Sequence, residues 1–170
     1  MRKGILIGIC CIIITALLTA CGAAKTASPE TVRFSCDFVA TYNDLKLEGT
    51  LERHNVGTLT LTLSAPQSLS GMQLTWNGET ATVAYHGLIY TLPAKLPQAA
   101  AARLLLDALD DLCKRSADGN LTKDGAAFTG TVGEYGYTIL CDPQSGTLLS
   151  LEVPDAAFSV HFSNVKTAPQ

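Results

Sequence analysis

Over most of residues 32–165, apolar and polar side chains alternate with a period of two, a rhythm that admits little besides β-strands. Val32, Phe34, Cys36, Phe38, Ala40 and Tyr42 fall on one face of a first strand. Leu45, Leu47 and Leu51 share a face of the second, opposite Lys46, Glu48, Thr50 and Glu52. After a turn at His54–Gly57, Leu59, Leu61 and Leu63 alternate with threonines; after a break at Pro66–Gly71, Met72, Leu74 and Trp76 continue the pattern. Asn77-Gly78 reads as a hairpin turn, because both residues tolerate positive φ. Thr80–Tyr85 and Leu88–Leu92 flank a second interruption at His86-Gly87. Four further strands are expected at Ala127–Val132, Tyr135–Cys141, Thr147–Val153 and Phe158–Val165. Connections this short require antiparallel pairing.

The period changes once. Between Pro93 and Arg115, Leu104, Leu105, Ala108, Leu109 and Leu112 recur at helical spacing among strong helix formers, with Asp107, Asp110 and Asp111 on the other side as a solvated face. The spacing predicts one amphipathic helix over about 98–115, followed by a polar loop at Ser116–Gly125. The expected fold is therefore a β-rich α+β domain: a curled antiparallel sheet (a half-barrel) of about nine strands with one helix inserted between strands. Nine strands at roughly 4.8 Å spacing span nearly 40 Å. A helix about 10 Å across cannot cover that width. Either the sheet curls around the helix or apolar surface stays open to a ligand.

Ahead of this domain, Met1-Arg2-Lys3 and an uncharged apolar run from Gly4 to Leu18 have the form of a secretory signal, shorter than the ~20 residues that span a bilayer. The sequence Leu18-Thr19-Ala20-Cys21-Gly22 resembles the lipobox of bacterial lipoproteins, a resemblance confined to residues 1–22. It implies cleavage after residue 20, a diacylglyceryl thioether on Cys21 with further acylation (palmitate or a similar chain) on its amine, and an extracytoplasmic, membrane-anchored protein. Two or three acyl chains hold stably where one is marginal. Residues 21–31 are then a lipidated tether whose ten residues after Cys21 reach at most ~35 Å, and 32–166 a single domain.

Removing Arg2 and Lys3 with the leader leaves ten basic against fifteen acidic side chains, a formal charge of −5. An acidic domain without a basic cluster argues against nucleic acid and against electrostatic docking on anionic lipid. Cys36, Cys113 and Cys141 remain after cleavage; without a C-x-x-C they read as small buried hydrophobes, with one disulfide the alternative. No catalytic or cofactor signature occurs, and the reading is of a protein that is not an enzyme. His54, His86 and His161 have no ligand-spaced partner, so no metal is expected. Asp118–Gly125 fails the calcium-loop register, with Lys123 where glycine is required.

A curled antiparallel sheet interrupted by a helix, on a lipoprotein, resembles the LolA/LolB superfamily, through element order across most of residues 32–165. Leu47–Leu51, Pro66–Met72 and Tyr85–Leu88 are also similar to segments of uncharacterised Gram-positive lipoproteins. The superfamily likeness implies a half-barrel enclosing acyl chains or serving as an interaction module. The inward residues Leu47, Leu51, Leu61, Leu74, Trp76, Tyr85, Leu105, Leu109 and Phe162 are the candidate lining for a lipid or other apolar ligand. The rival reading is a non-catalytic interaction or sensor module that docks on a membrane protein.

Overall fold

A computed structural model describes residues 32–93, 100–117, 122–124 and 126–167. The expected signal peptide, Cys21 and the tether to residue 31 lie outside the described residues, as do residues 118–121 and 125 of the stretch after the helix. Among the described residues, eleven strands form one antiparallel sheet. The first six are β1 (Phe34–Tyr42), β2 (Leu45–Arg53), β3 (Leu59–Ala65), β4 (Gln73–Trp76), β5 (Thr80–Tyr85) and β6 (Leu88–Pro93). Helix α1 (Ala101–Ala117) follows, then β7 (Thr122–Asp124), β8 (Ala127–Val132), β9 (Tyr135–Cys141), β10 (Leu148–Val153) and β11 (Phe158–Thr167). The spatial order is β6-β5-β4-β3-β2-β1-β11-β10-β9-β8-β7. The chain thus meanders from the centre to one edge, crosses by the helix, and meanders back from the other edge until β11 pairs with β1.

This is the curled, unclosed antiparallel sheet with one helix that the alternation predicts. It has eleven strands where about nine are expected. The one without a counterpart among the expected segments, β7, is a three-residue polar edge strand inside the stretch read as loop. The helix begins at Ala101 and runs to Ala117, two residues past the expected end; residues 98 and 99 lie outside the described residues. The turn after β4 also differs. Only Gly78 takes a positive φ, of 92°, while the Asn77 side chain accepts hydrogen bonds from the Glu79 and Thr80 amides, at 3.0 and 2.8 Å. The turn is therefore stabilised by the asparagine carbonyl rather than by two left-handed residues.

Register explains the core. Phe34, Cys36, Phe38 and Ala40 of β1 face inward with Leu51 of β2 and Val160 and Phe162 of β11, all buried. Val32, assigned to the same face, is 46% exposed. Ala40, Val160, Leu151, Ile139 and Phe128 form one continuous row across five strands. The helix lays Leu104, Leu105, Ala108, Leu109 and Leu112 onto this concave face, each at most 2% exposed. Truncating one such leucine to alanine costs about 2–5 kcal/mol. Arg103–Asp107 and Asp111–Arg115 are i,i+4 pairs on the helix, and Lys114 and Arg115 sit in its last turn, where the macrodipole favours cations. Gly49, at a bulge in the β2–β3 pairing, brings two backbones together: a Cβ there would collide with the Thr62 carbonyl oxygen and lie 3.0 Å from Leu63 Cα.

Candidate functional site

The concave face is filled unevenly. Towards the end of the sheet carrying Arg53, Leu59 and Trp76, these side chains are buried. Towards the opposite end a cavity of about 240 Å³ lies between sheet and helix. Phe38 and Ala40 of β1, Leu47 of β2, and Leu61 and Leu63 of β3 form its floor with Phe158 and Val160 of β11. Met72, Leu74 and Val83 form the side towards β6, and Ala101, Ala102 and Leu105 the roof. Every one of these side chains is apolar. The roof residues explain the space: alanines at 101 and 102 leave room where leucines fill it further along the helix. An apolar cavity of about 150 Å³ stays dry and admits a benzene-sized guest, whereas sites for drug-sized ligands begin near 300 Å³. This one therefore suits a single length of hydrocarbon chain.

Of the residues singled out in the sequence, Leu47, Leu61, Leu74 and Leu105 stand in the cavity wall. Leu51, Trp76, Leu109 and Phe162 are packed core, 0–8% exposed and outside the lining. Tyr85 is half-buried; its hydroxyl donates to the Ser68 carbonyl, and its ring meets His86 edge-on, with centroids 4.1 Å apart. Sequence reasoning did not single out Phe38, Ala101, Ala102 or Val160 as lining. Only the tertiary arrangement decides which inward residues border empty space.

The helical carboxylates correct the reading of a solvated face. Asp110 accepts a hydrogen bond from Arg53 Nη2 at 2.6 Å and one from the Gly57 amide at 3.1 Å. Asp111 accepts one from the Tyr137 hydroxyl at 2.7 Å. Arg115 donates to the Thr129 carbonyl at 2.7 Å. These bonds clamp the C-terminal half of the helix to both sides of the sheet. Arg53 itself is 1% exposed, and its Nε and Nη1 have no hydrogen-bond partner.

Cys36 and Cys141 are buried free thiols, and Cys113 is buried with its Sγ 3.7 Å from Arg53 Nη2. Burial, reinforced by Asp37, pushes the Cys36 thiol from 9.0 up to about 12, and burial alone does the same for Cys141. Neither is a nucleophile at neutral pH, since reactivity follows the thiolate. Burial and the hydrogen bond to Asp111 raise the Tyr137 hydroxyl. Among the described residues, no three His, Cys, Asp or Glu side chains converge to hold a metal ion.

No protein-family model matches the sequence, and no curated protein is significantly similar to it. Solved structures are similar in fold. An uncharacterized conserved protein from Thermus thermophilus shares 9% identity at a TM-score of 0.47, with 82% of this chain and 81% of that one covered. A LolA superfamily protein from Nitrosomonas europaea shares 9% identity at a TM-score of 0.39, over 82% and 88%. A DUF1329 family protein from Desulfovibrio piger shares 11% identity at a TM-score of 0.42, over 81% and 87%.

Proposed function

We propose that this protein is a lipid-anchored binding module that holds one apolar chain, such as an acyl group, in the cavity between its half-barrel and helix. The carrying observation is a space of about 240 Å³ walled by apolar side chains alone. An acyl segment entering it forfeits no hydrogen bond to a polar wall and removes hydrocarbon from water. The volume takes a single chain segment rather than a whole diacyl lipid. The signal-like leader and lipobox support anchoring through Cys21 outside the cytoplasm. An anchored protein receives or presents a chain at the membrane rather than shuttling freely.

Native mass spectrometry of the chain from residue 21 with Cys21→Ser, followed by denaturing lipid extraction, tests the cavity. A discrete adduct of acyl-lipid mass is expected. Ala102→Leu, which grows into the cavity, abolishes that adduct with the fold intact by circular dichroism. A clean apo mass even after incubation with palmitate overturns the reading. Labelled palmitate incorporated by the native precursor, and not by Cys21→Ser, tests the anchor.

A further inference from the structure

Leu88, Ile89 and Tyr90 are consecutive residues of edge strand β6, exposed to 76%, 74% and 66%. Edge strands ordinarily carry charges that discourage association, and β6 carries only the proline at its last position, Pro93. Here no Lys, Arg, Asp or Glu occurs anywhere from Thr80 to Pro93. Antiparallel register fixes where the three side chains point. Tyr90 pairs with Val83, which pairs with Leu74, which pairs with Leu61. Leu61, Leu74, Val83 and Tyr90 therefore form one concave row, whose first three members are cavity wall and whose last stands in solvent. Leu88 shares that face; Ile89, one residue on, points to the convex side. The cavity wall thus runs without interruption onto an open apolar edge at the same end of the sheet.

We infer that this β5–β6 hairpin is the surface by which the domain rests on a lipid bilayer, with the cavity open towards the membrane. The inference deepens the binding reading above and draws on its anchor. Three features select lipid as the occupant. The patch presents apolar side chains on both faces of a strand; a partner lying flat on one face covers only half of them, whereas a fluid phase surrounds both. It is continuous with a cavity sized for one chain, so hydrocarbon leaving the bilayer passes along Tyr90 and Val83 without crossing water. The chain ahead of Val32 also reaches far enough. About 35 Å of extended tether matches the roughly 30 Å length of β1, so anchoring at Cys21 allows the far end of the sheet to touch the membrane. Insertion stays at interfacial depth, where Tyr90 is at home and the unpaired edge amides of β6 keep water.

The test is co-sedimentation of the chain from residue 21 carrying Cys21→Ser, which contains every described element, with phosphatidylcholine vesicles. Binding is expected without anionic lipid and unchanged by salt, since the hairpin has no fixed charge. Leu88→Ser and Ile89→Ser each weaken it roughly tenfold, the scale of half-burying one aliphatic side chain. Both sites are exposed, so the fold survives, and palmitate loaded from detergent still appears as a cavity adduct in both variants. Failure of the unsubstituted chain to bind vesicles overturns the docking surface even where the adduct is present. A concentration-dependent dimer abolished by Leu88→Ser, with vesicle binding unaffected, overturns it in favour of edge pairing between copies. Vesicle binding that is lost on substitution, with no adduct in any sample, supports docking and defeats the cavity reading alone.

Discussion

Removing Asp110 and removing its partner Arg53 have opposite expected consequences. Arg53 is fully buried at the end of β2, and only Nη2 is well bonded, to Asp110 at 2.6 Å, with a longer 3.7 Å contact to Cys113 Sγ. Two further guanidinium nitrogens have no partner. A buried donor left unsatisfied costs about 1–3 kcal/mol, so Nε and Nη1 together cost on the order of 2–6 kcal/mol against a fully bonded arginine. Arg53→Met keeps most of the volume and removes both unmet donors and the desolvated charge. Its stability is expected to lie within about 1 kcal/mol of the parent, or above it. Asp110→Ala leaves the cation buried without its counter-charge and frees the Gly57 amide; the expected loss is about 3–5 kcal/mol. Added to Arg53→Met, Asp110→Ala costs only about 1 kcal/mol more, the share of the Gly57 bond. Urea unfolding followed by circular dichroism, with all four chains compared at equal m-value, reads these differences. A loss in Arg53→Met as large as that in Asp110→Ala refutes the reasoning and makes the ion pair a net source of stability.

Gly49→Ala should destabilise by about 1–3 kcal/mol, seen as a lower Tm, because the methyl meets the Thr62 carbonyl across the bulge. Cys36 and Cys141 should resist alkylation in the native state and react on unfolding. Because folding raises both thiols from 9.0 to about 12, the stability they contribute is full below pH 9 and disappears as pH climbs through 12. Cys36→Ala/Cys141→Ala should flatten that alkaline decline in a pH series of urea midpoints. At the other extreme, the Asp142 carboxyl accepts bonds from the Ser145 and Gln144 amides and the Ser145 hydroxyl, which hold it below its usual 3.8. Its contribution is therefore present above pH 3.8 and lost below it, and Asp142→Ala should remove that part of the acid dependence.

The alternation made the sheet legible because one face is buried and a period of two has a single structural meaning. The helix was legible because its leucines change period. What escaped were features that depend on neighbours. β7 is three polar residues at an edge, where no apolar face marks a strand. Arg53 left a readable trace: it continues the odd-numbered inward face of Leu47 and Leu51, so the phase of β2 points it into the core. Asp110 lies four residues after the buried Leu106, one turn along the same side of the helix, and is only 27% exposed. The cavity left a fainter trace. Leu61 and Leu51 pair across neighbouring strands and look alike in sequence, yet only Leu61 stands in the wall of the apolar cavity. The deciding factor is the pair of small roof residues 101 and 102, whose place in the cavity wall no local pattern encodes.

The pairing of β1 with β11 makes the last of the described strands a central one. Until Phe158–Thr167 leaves the ribosome, the first six strands and the later ones have no shared hydrogen bonds through the middle of the sheet. The contacts that join them span more than a hundred residues, so they form late and close the largest loop in the chain. A chain stopped at Ala157 would therefore not be a trimmed domain. It would be six strands and four strands held together by a helix, each group with a new raw edge, and quality-control proteases would meet it as two fragments.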